Sequence, residues 1–314
     1  MTVPLTLVVN PAAGGGKPAG YLPKVTAVLD AAGASYTVSL ATSLRHARTL
    51  AAHAAARGDT VVAFGGDGLT GALAGPVARA AAGPAAQTRR GGCFGIIPAG
   101  RGNDFARTLR IPFDPAAAAR LLLDGRPQPV DLLAVTGAGT AAAPTIVAGS
   151  VYVGIASVAG EIANRTRLIR GPLVYSAAAL RALAGWRATT FRVETTCPDG
   201  QRDTLEFRGY AVVVANTPFF GAGMKVAPAA SYDDGVLDIV LMRHGPKLAF
   251  VRVLMKIKDG SHVTVAQVST GRATEVTLAV DRRLPVGADG ELLAIHAPLS
   301  IRAMPAALSV IVPP

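Results

Sequence analysis

From residue 5 to about residue 130, short apolar runs rich in β-branched residues alternate with alanine-rich stretches. This rhythm predicts a parallel sheet with helices on both faces, because a strand covered on both sides reads as a continuous apolar run. Strands are predicted at 5–9, 36–40, 60–64 and 94–97, and helices at 24–31, 44–57 and 70–82. A loop through Gly83-Pro84 and Arg89-Arg90-Gly91-Gly92 follows the last of these helices. Asp114-Pro115-Ala116 opens one more, with a capping carboxylate and a proline at a first-turn position where no N–H is needed.

Beyond Pro127 the segments lengthen and crossover helices become scarce. Residues 192–196, 210–216, 237–242, 263–268, 274–280 and 292–296 alternate or carry β-branched residues, the pattern of an antiparallel sandwich. Two amphipathic helices, around 173–186 and 246–258, interrupt them. The change of rhythm predicts two domains, 1–127 and 128–314, joined by Gly125-Arg126-Pro127-Gln128-Pro129. The run 308–312 is one more strand, which could belong to either domain.

Three glycine-rich turns each directly follow an apolar run. They are Asn10-Pro11-Ala12-Ala13-Gly14-Gly15-Gly16-Lys17, Gly65-Gly66-Asp67-Gly68, and Pro98-Ala99-Gly100-Arg101-Gly102-Asn103-Asp104. A glycine turn between strand and helix lets backbone N–H groups approach a phosphate, and the helix N-terminus behind it favours negative charge. Three such turns on one sheet point to a nucleoside triphosphate. Carboxylates within them repel phosphate unless a cation intervenes, so Asp67 and Asp104 imply either magnesium or a structural role such as helix capping.

The 314 residues carry 31 Lys and Arg against 20 Asp and Glu, a formal charge of +11, which favours polyanionic partners. Aromatics are only 5% and are not interleaved with basic residues, so the stacking platforms of nucleic-acid binders are missing and an anionic membrane surface or a phosphate ligand is expected instead. The mixed basic and apolar stretch Arg165, Arg167, Leu168, Ile169 and Arg170 could touch such a bilayer or be a solvated loop. No uninterrupted apolar stretch approaches the roughly 18 residues of a membrane span, and the N-terminal residues lack a basic, cleavable leader pattern. Both features predict a cytoplasmic, peripheral protein. Cys93 and Cys197 have no metal-ligand spacing, and His46 and His53, seven apart, lack a third ligand nearby.

Two common nucleotide motifs fail on inspection. Gly66-Asp67-Gly68-Leu69-Thr70-Gly71 matches a dinucleotide fingerprint, but the next strand ends Ile97-Pro98-Ala99-Gly100 without the acidic residue that holds a ribose. Gly14-Gly15-Gly16-Lys17 lacks the spacing and the following Ser or Thr of a phosphate-binding P-loop. Zinc and serine hydrolase signatures are absent as well.

In this order the three turns resemble those of the diacylglycerol-kinase-type lipid kinases, a family that includes sphingosine and ceramide kinases and is distantly similar to NAD kinases. The resemblance extends to Asp233-Asp234-Gly235-Val236-Leu237-Asp238 and to Asp289-Gly290-Glu291. It implies an α/β N-terminal domain, NAD-kinase-like, and a mostly β C-terminal sandwich with a nucleotide cleft between them. It places Asn10, Gly14, Gly15, Gly16 and Thr42 near ATP, with Gly65, Gly66, Asp67, Gly68, Thr70 and Gly71 along the phosphates. Arg101, Asn103 and Asp104 of the third turn join them. It further implies magnesium held by Asp234 with the carbonyls of Ser231 and Val236, and a catalytic base at Asp289 or Glu291.

Phosphoryl transfer needs these parts: donors and a cation around the triphosphate, and a carboxylate within reach of the attacking hydroxyl. The expected acceptor is a lipid alcohol, diacylglycerol foremost, at an anionic membrane surface, with no nucleic-acid partner and a homodimer left open. An NAD-kinase-like or small-alcohol kinase is one alternative; a nucleotide-binding regulator that has lost turnover is another. The family's second motif continues Thr-x-Asn-Glu, whereas this chain has Leu69-Thr70-Gly71-Ala72, with Thr70 one position late. Arg101 stands where Thr is common and offers a bidentate phosphate clamp.

Overall fold

The computed structural model describes residues 3–82, 93–138, 143–165 and 173–314, without the side chains of 163–165 and 173–176. The expected loop at 83–92 and the basic stretch at 166–172 lie outside these residues, as does the Arg165 side chain. The N-terminal half runs β1 (Leu5–Val9), α1 (Lys17–Ala31), β2 (Tyr36–Leu40), α2 (Leu44–Arg57), β3 (Thr60–Gly65), α3 (Asp67–Ala81), β4 (Phe94–Pro98), α4 (Asp104–Thr108) and α5 (Pro115–Asp124). Its strands pair in parallel in the order β2-β1-β3-β4. Alternation along each strand feeds two cores. Leu5, Leu7, Val9, Val62, Phe64 and Ile97 pack with Val25 and Leu29 of α1 and Leu122 of α5. Val8, Val61, Ala63, Phe94 and Ile96 pack on the opposite face with the alanines of α2 and with Leu69 and Leu73 of α3. Ser43 caps α2 by accepting from His46 N, and Asp114 caps α5 by accepting from Ala117 N at 2.8 Å.

The C-terminal half comprises β5 (Arg126–Ala138), β6 (Thr145–Val147), β7 (Ser150–Gly154), α6 (Ile155–Arg165), α7 (Leu173–Ala184), β8 (Thr189–Thr196), β9 (Arg202–Ala215), β10 (Phe219–Phe220), β11 (Met224–Lys225), β12 (Leu237–Arg243), α8 (Lys247–Lys256), β13 (Val268–Ala273), β14 (Glu275–Val280), β15 (Val286–Ala288), β16 (Glu291–Leu293) and β17 (His296–Val312). These strands form a β-sandwich, with antiparallel pairs closing on one core that includes Phe191, Tyr210, Leu237, Leu278 and Ile301.

The segment expected to link the domains is part of a strand. Residues 126–129 pair with 309–312 at the start of β5, so no flexible joint lies there. Pro127 and Pro129 fit because this end of β5 has β17 on one side only, and an edge strand tolerates a missing N–H. β17 also resolves the placement of the last strand: Val310 pairs in parallel with Phe94 of β4, while residues further back pair with β14. One strand therefore belongs to both sheets. Helix α1 begins at Lys17 rather than residue 24, since Pro18 sits in its first turn, and Pro23 is carried inside it. The predicted strand at 263–268 is instead a short 3-10 turn, Ser261–Thr264, followed by a strand that begins at Val268. Helix α6 has no counterpart among the sequence-derived elements.

β5 and β17 lose register between Met304 and Leu308, where the surplus residues bulge. The carboxylate of Asp131, only 3% exposed, lies against this bulge and accepts from Ala306 N at 2.7 Å and from Gly235 N at 2.6 Å. Removing it strands two inward-facing donors. Asp131→Ala should cost about 2–5 kcal/mol of stability in urea unfolding; an unchanged midpoint would contradict this role.

Candidate functional site at the junction of the two halves

The three glycine turns lie together at the carboxyl ends of β1, β3 and β4, the edge of an open parallel sheet where ligands bind. Their backbones nearly touch. A Cβ on Gly14, which has φ +56°, would fall 2.3 Å from the carbonyl oxygen of Ala99. A Cβ on Gly100 would fall 2.4 Å from the Cα of Gly66. Any side chain at these positions would push the turns apart, so the close approach itself requires glycine. Gly15 and Gly16 have φ of 80° and 94°, completing a left-handed entry to α1. Asn10 accepts from Ala12 N at 3.2 Å and so folds the first turn over the end of β1. Thr42, exposed beyond β2, donates its backbone N–H to His46 Nδ1 at 3.3 Å.

Asp67 does not cap its own helix. It is the first residue of α3, and its Oδ1 accepts from Phe105 N of α4 at 3.2 Å. Asn103 likewise bonds the third turn to itself, accepting from Gly100 N at 2.9 Å and donating to Gly100 O at 3.2 Å. Asp104 accepts from Ala222 N and Gly223 N at 2.9 and 2.7 Å, and so holds the β10–β11 hairpin of the other half. Arg107, one turn along α4, stacks over Phe113, which follows α4, and over Phe219 of that hairpin, 5.0 and 5.9 Å from the ring centres. The Thr70 hydroxyl donates back to the Gly66 carbonyl inside α3, so it is not presented to a phosphate as its position suggested. Arg101 is exposed on the third turn, and Gly65 closes β3 against Leu69.

Asp289 and Gly290 form the two-residue tip of the β15–β16 hairpin, with φ of 47° and 83°. Asp289 reaches a cradle of successive N–H groups, those of Ala148, Gly149 and Ser150, at 2.8, 2.8 and 3.1 Å. Both of its oxygens are engaged there. Its carboxylate also lies where a side chain on Gly71 would have to be, 2.7 Å from that Cβ position. The departure at Gly71 from the family's pattern thus makes room for Asp289. Glu291, two residues on, lies against Gly68, its Oε1 2.8 Å from a Cβ there, and among the described residues it accepts no hydrogen bond.

These carboxyls are electrostatically strained. Burial, with Asp104 and Asp289 nearby, pushes Asp67 up to about 7. Burial also raises Asp104 and Asp289 despite the N–H groups they accept, and it raises Glu291, with Arg48 of α2 pulling it partly back. Among the described residues no three acidic, histidine or cysteine side chains are placed to grip one metal ion together. Asp234, Ser231 and Val236 lie on the turn before β12, and Asp234 there pairs with Arg272 of β13.

Family descriptions match both halves: "Diacylglycerol kinase catalytic domain" over residues 4–135 and "YegS C-terminal NAD kinase beta sandwich-like domain" over 149–312. A diacylglycerol kinase of Mycobacterium tuberculosis is 32% identical over 98% of this chain and 95% of its own length. The chain belongs to the diacylglycerol-kinase-type lipid kinases. A second relative, the diacylglycerol kinase of Bacillus subtilis, is 26% identical over 91% of this chain and 88% of its own. The fold of this lipid kinase is shared with a solved diacylglycerol kinase structure from Bacillus anthracis, TM-score 0.71 at 22% identity, covering 99% and 97% of the two chains.

Asp131, Arg48, Arg107 and the 148–150 cradle were not foreseen from the kinase's sequence, because each acts on a partner at least 70 positions away. A folded-state value for Asp67 above that of the unfolded chain has a defined consequence. The carboxyl favours folding fully below the unfolded value and loses that contribution as pH rises through about 7. Asp67→Asn keeps the acceptor for Phe105 and should gain stability relative to wild type between about pH 4 and about pH 8. Urea unfolding across that range checks it; a pH-independent difference would refute it.

Proposed function

We propose that this lipid kinase transfers the γ-phosphoryl group of ATP to the hydroxyl of a membrane lipid, diacylglycerol foremost, giving phosphatidic acid. The observation that carries the reading is the division of labour in the β15–β16 hairpin: Asp289 is held by three backbone donors, and Glu291 beside it is unoccupied and raised. Glu291 accepts the hydroxyl proton as the lipid oxygen bonds to the γ-phosphorus and the bond to the departing ADP breaks. Asp289 positions the hairpin. The mutual repulsion of Asp67, Asp104 and Asp289 argues for a cation carried on the nucleotide itself, which would take its ligands mostly from phosphate and water. Magnesium, when bound with ATP, supplies charge neutralisation of the transferring group. The glycine turns offer backbone N–H groups to the phosphates.

An apolar acceptor suits the surroundings of Glu291. Helix α6 packs against β15 and β16, and its Val158 and Ile162 lie half-exposed on the sandwich core with Phe220, Met224 and Leu293. For the membrane surface itself, α8 presents Leu248 and Met255, 74% and 67% exposed, among exposed Lys247, Arg252 and Lys256. Leu180 of α7 is 58% exposed nearby, and Lys247 Nζ donates to Ala184 O at the end of that helix. Apolar side chains ringed by cations fit an anionic bilayer.

Glu291→Gln should lower kcat by about 10²- to 10⁴-fold in a labelled-ATP assay against a panel of lipids with NAD as a competing acceptor. Near-normal turnover would remove Glu291 from the role, and preferred labelling of NAD would replace the lipid reading. Sedimentation with phosphatidylglycerol vesicles should weaken as salt rises and collapse in Leu248→Glu/Met255→Glu. Unaltered binding in the double variant would reject this face.

A further inference from the structure

The turn at 231–236 corresponds to the magnesium position that the resemblance implies, yet its carboxylates are already engaged within the chain. Asp234 Oδ2 pairs with the Arg272 guanidinium, and its Oδ1 accepts from Val236 N at 3.2 Å. Tyr232 O accepts from Asp131 N at 2.7 Å, Gly235 N donates to Asp131 Oδ2, and Ser231 Oγ donates to Asp233 Oδ1 at 2.6 Å. The antiparallel register of β12 and β13 sets Asp238 directly opposite Arg272. Arg272 Nε is 3.9 Å from Asp238 Oδ2, a buried oxygen without any hydrogen-bond partner among the described residues. One guanidinium thus faces Asp234 of the turn and Asp238 of β12.

A divalent ion on Asp234 would have to displace this guanidinium or sit beside it at a few ångströms, where two positive centres repel. The donor set as built does not fit magnesium. We infer that in this chain Arg272 takes the place of a divalent cation at the 231–236 turn, and that Asp131 supplies the hydrogen bonds that shape the turn. The cation is carried on the neighbouring strand and is always present, whatever the metal concentration. This inference does not depend on the acceptor lipid or on the role of Glu291.

The test uses manganese(II) added to the nucleotide-free full chain, with bound ions counted by electron paramagnetic resonance. Asp234→Asn should bind as many ions as wild type. Arg272→Gln should bind one more, that ion should be lost again in Arg272→Gln/Asp234→Asn, and Arg272→Lys, which keeps the positive charge, should bind no extra ion. Any rise in apparent melting temperature on replacing chelator with magnesium chloride should be equal in wild type and Asp234→Asn. One ion fewer in Asp234→Asn, a magnesium response that requires Asp234, or no added ion in Arg272→Gln would each overturn the assignment. The ion count of the wild type and the exposed Arg272 variants remains readable if Asp234→Asn fails to fold.

Discussion

Carboxylates turned inward to accept backbone N–H groups from distant segments hold this kinase together. Asp67 takes Phe105, Asp104 takes Ala222 and Gly223, Asp131 takes Gly235 and Ala306, and Asp289 takes Ala148, Gly149 and Ser150. A buried carboxylate is costly unless its lone pairs are filled, and an N–H group buried without an acceptor is costly too. Each pairing satisfies the N–H groups and offsets part of the carboxylate's burial penalty, and each spans a gap that no helix or strand bridges. Two of them, at Asp104 and Asp289, carry loops or cradles of the C-terminal half to the third turn and to the face of α3.

The same constraint sorts the acidic residues of the cleft by function. Asp104 and Asp289 have both oxygens engaged and tie distant segments together, while Asp67 engages Oδ1 alone. Glu291 is adjacent in sequence to that network but outside it, which is what the proposed base requires. Burial, with neighbouring carboxylates adding to it at Asp67 and Asp289, keeps these values high. At the 231–236 turn the identical problem is met differently, by a guanidinium supplied from β13.

Several elements were legible because the information was local. The both-sides-buried strands β1, β3 and β4, the cap at Asp114, and the glycine turns that follow the strands are written in runs of a few residues. Asp289-Gly290 is a hairpin tip whose turn geometry delivers the carboxylate to the 148–150 donors. Misreadings occurred where proline was taken as punctuation. Pro18 and Pro23 delayed the expected start of α1, and Pro127 with Pro129 suggested a linker where an edge strand tolerates them. Helix α6 was passed over because its apolar face is completed by the hairpin it packs against.

The amino-acid order by itself determined the fold class, the lipid kinase family, and which residue types gather at the carboxyl edge of the parallel sheet, since strand periodicity, turn chemistry and motif spacing all act within short stretches. Tertiary structure alone decided that Glu291 and not Asp289 is unengaged, that Thr70 faces its own helix, that Gly71 makes room for a carboxylate from the other half, and that Arg272 answers Asp234. Those outcomes depend on which oxygen meets which N–H, guanidinium or carbonyl, from four residues away for Thr70 to 141 for Asp289, and the longer pairings are set by strand register and packing after the chain has closed on itself.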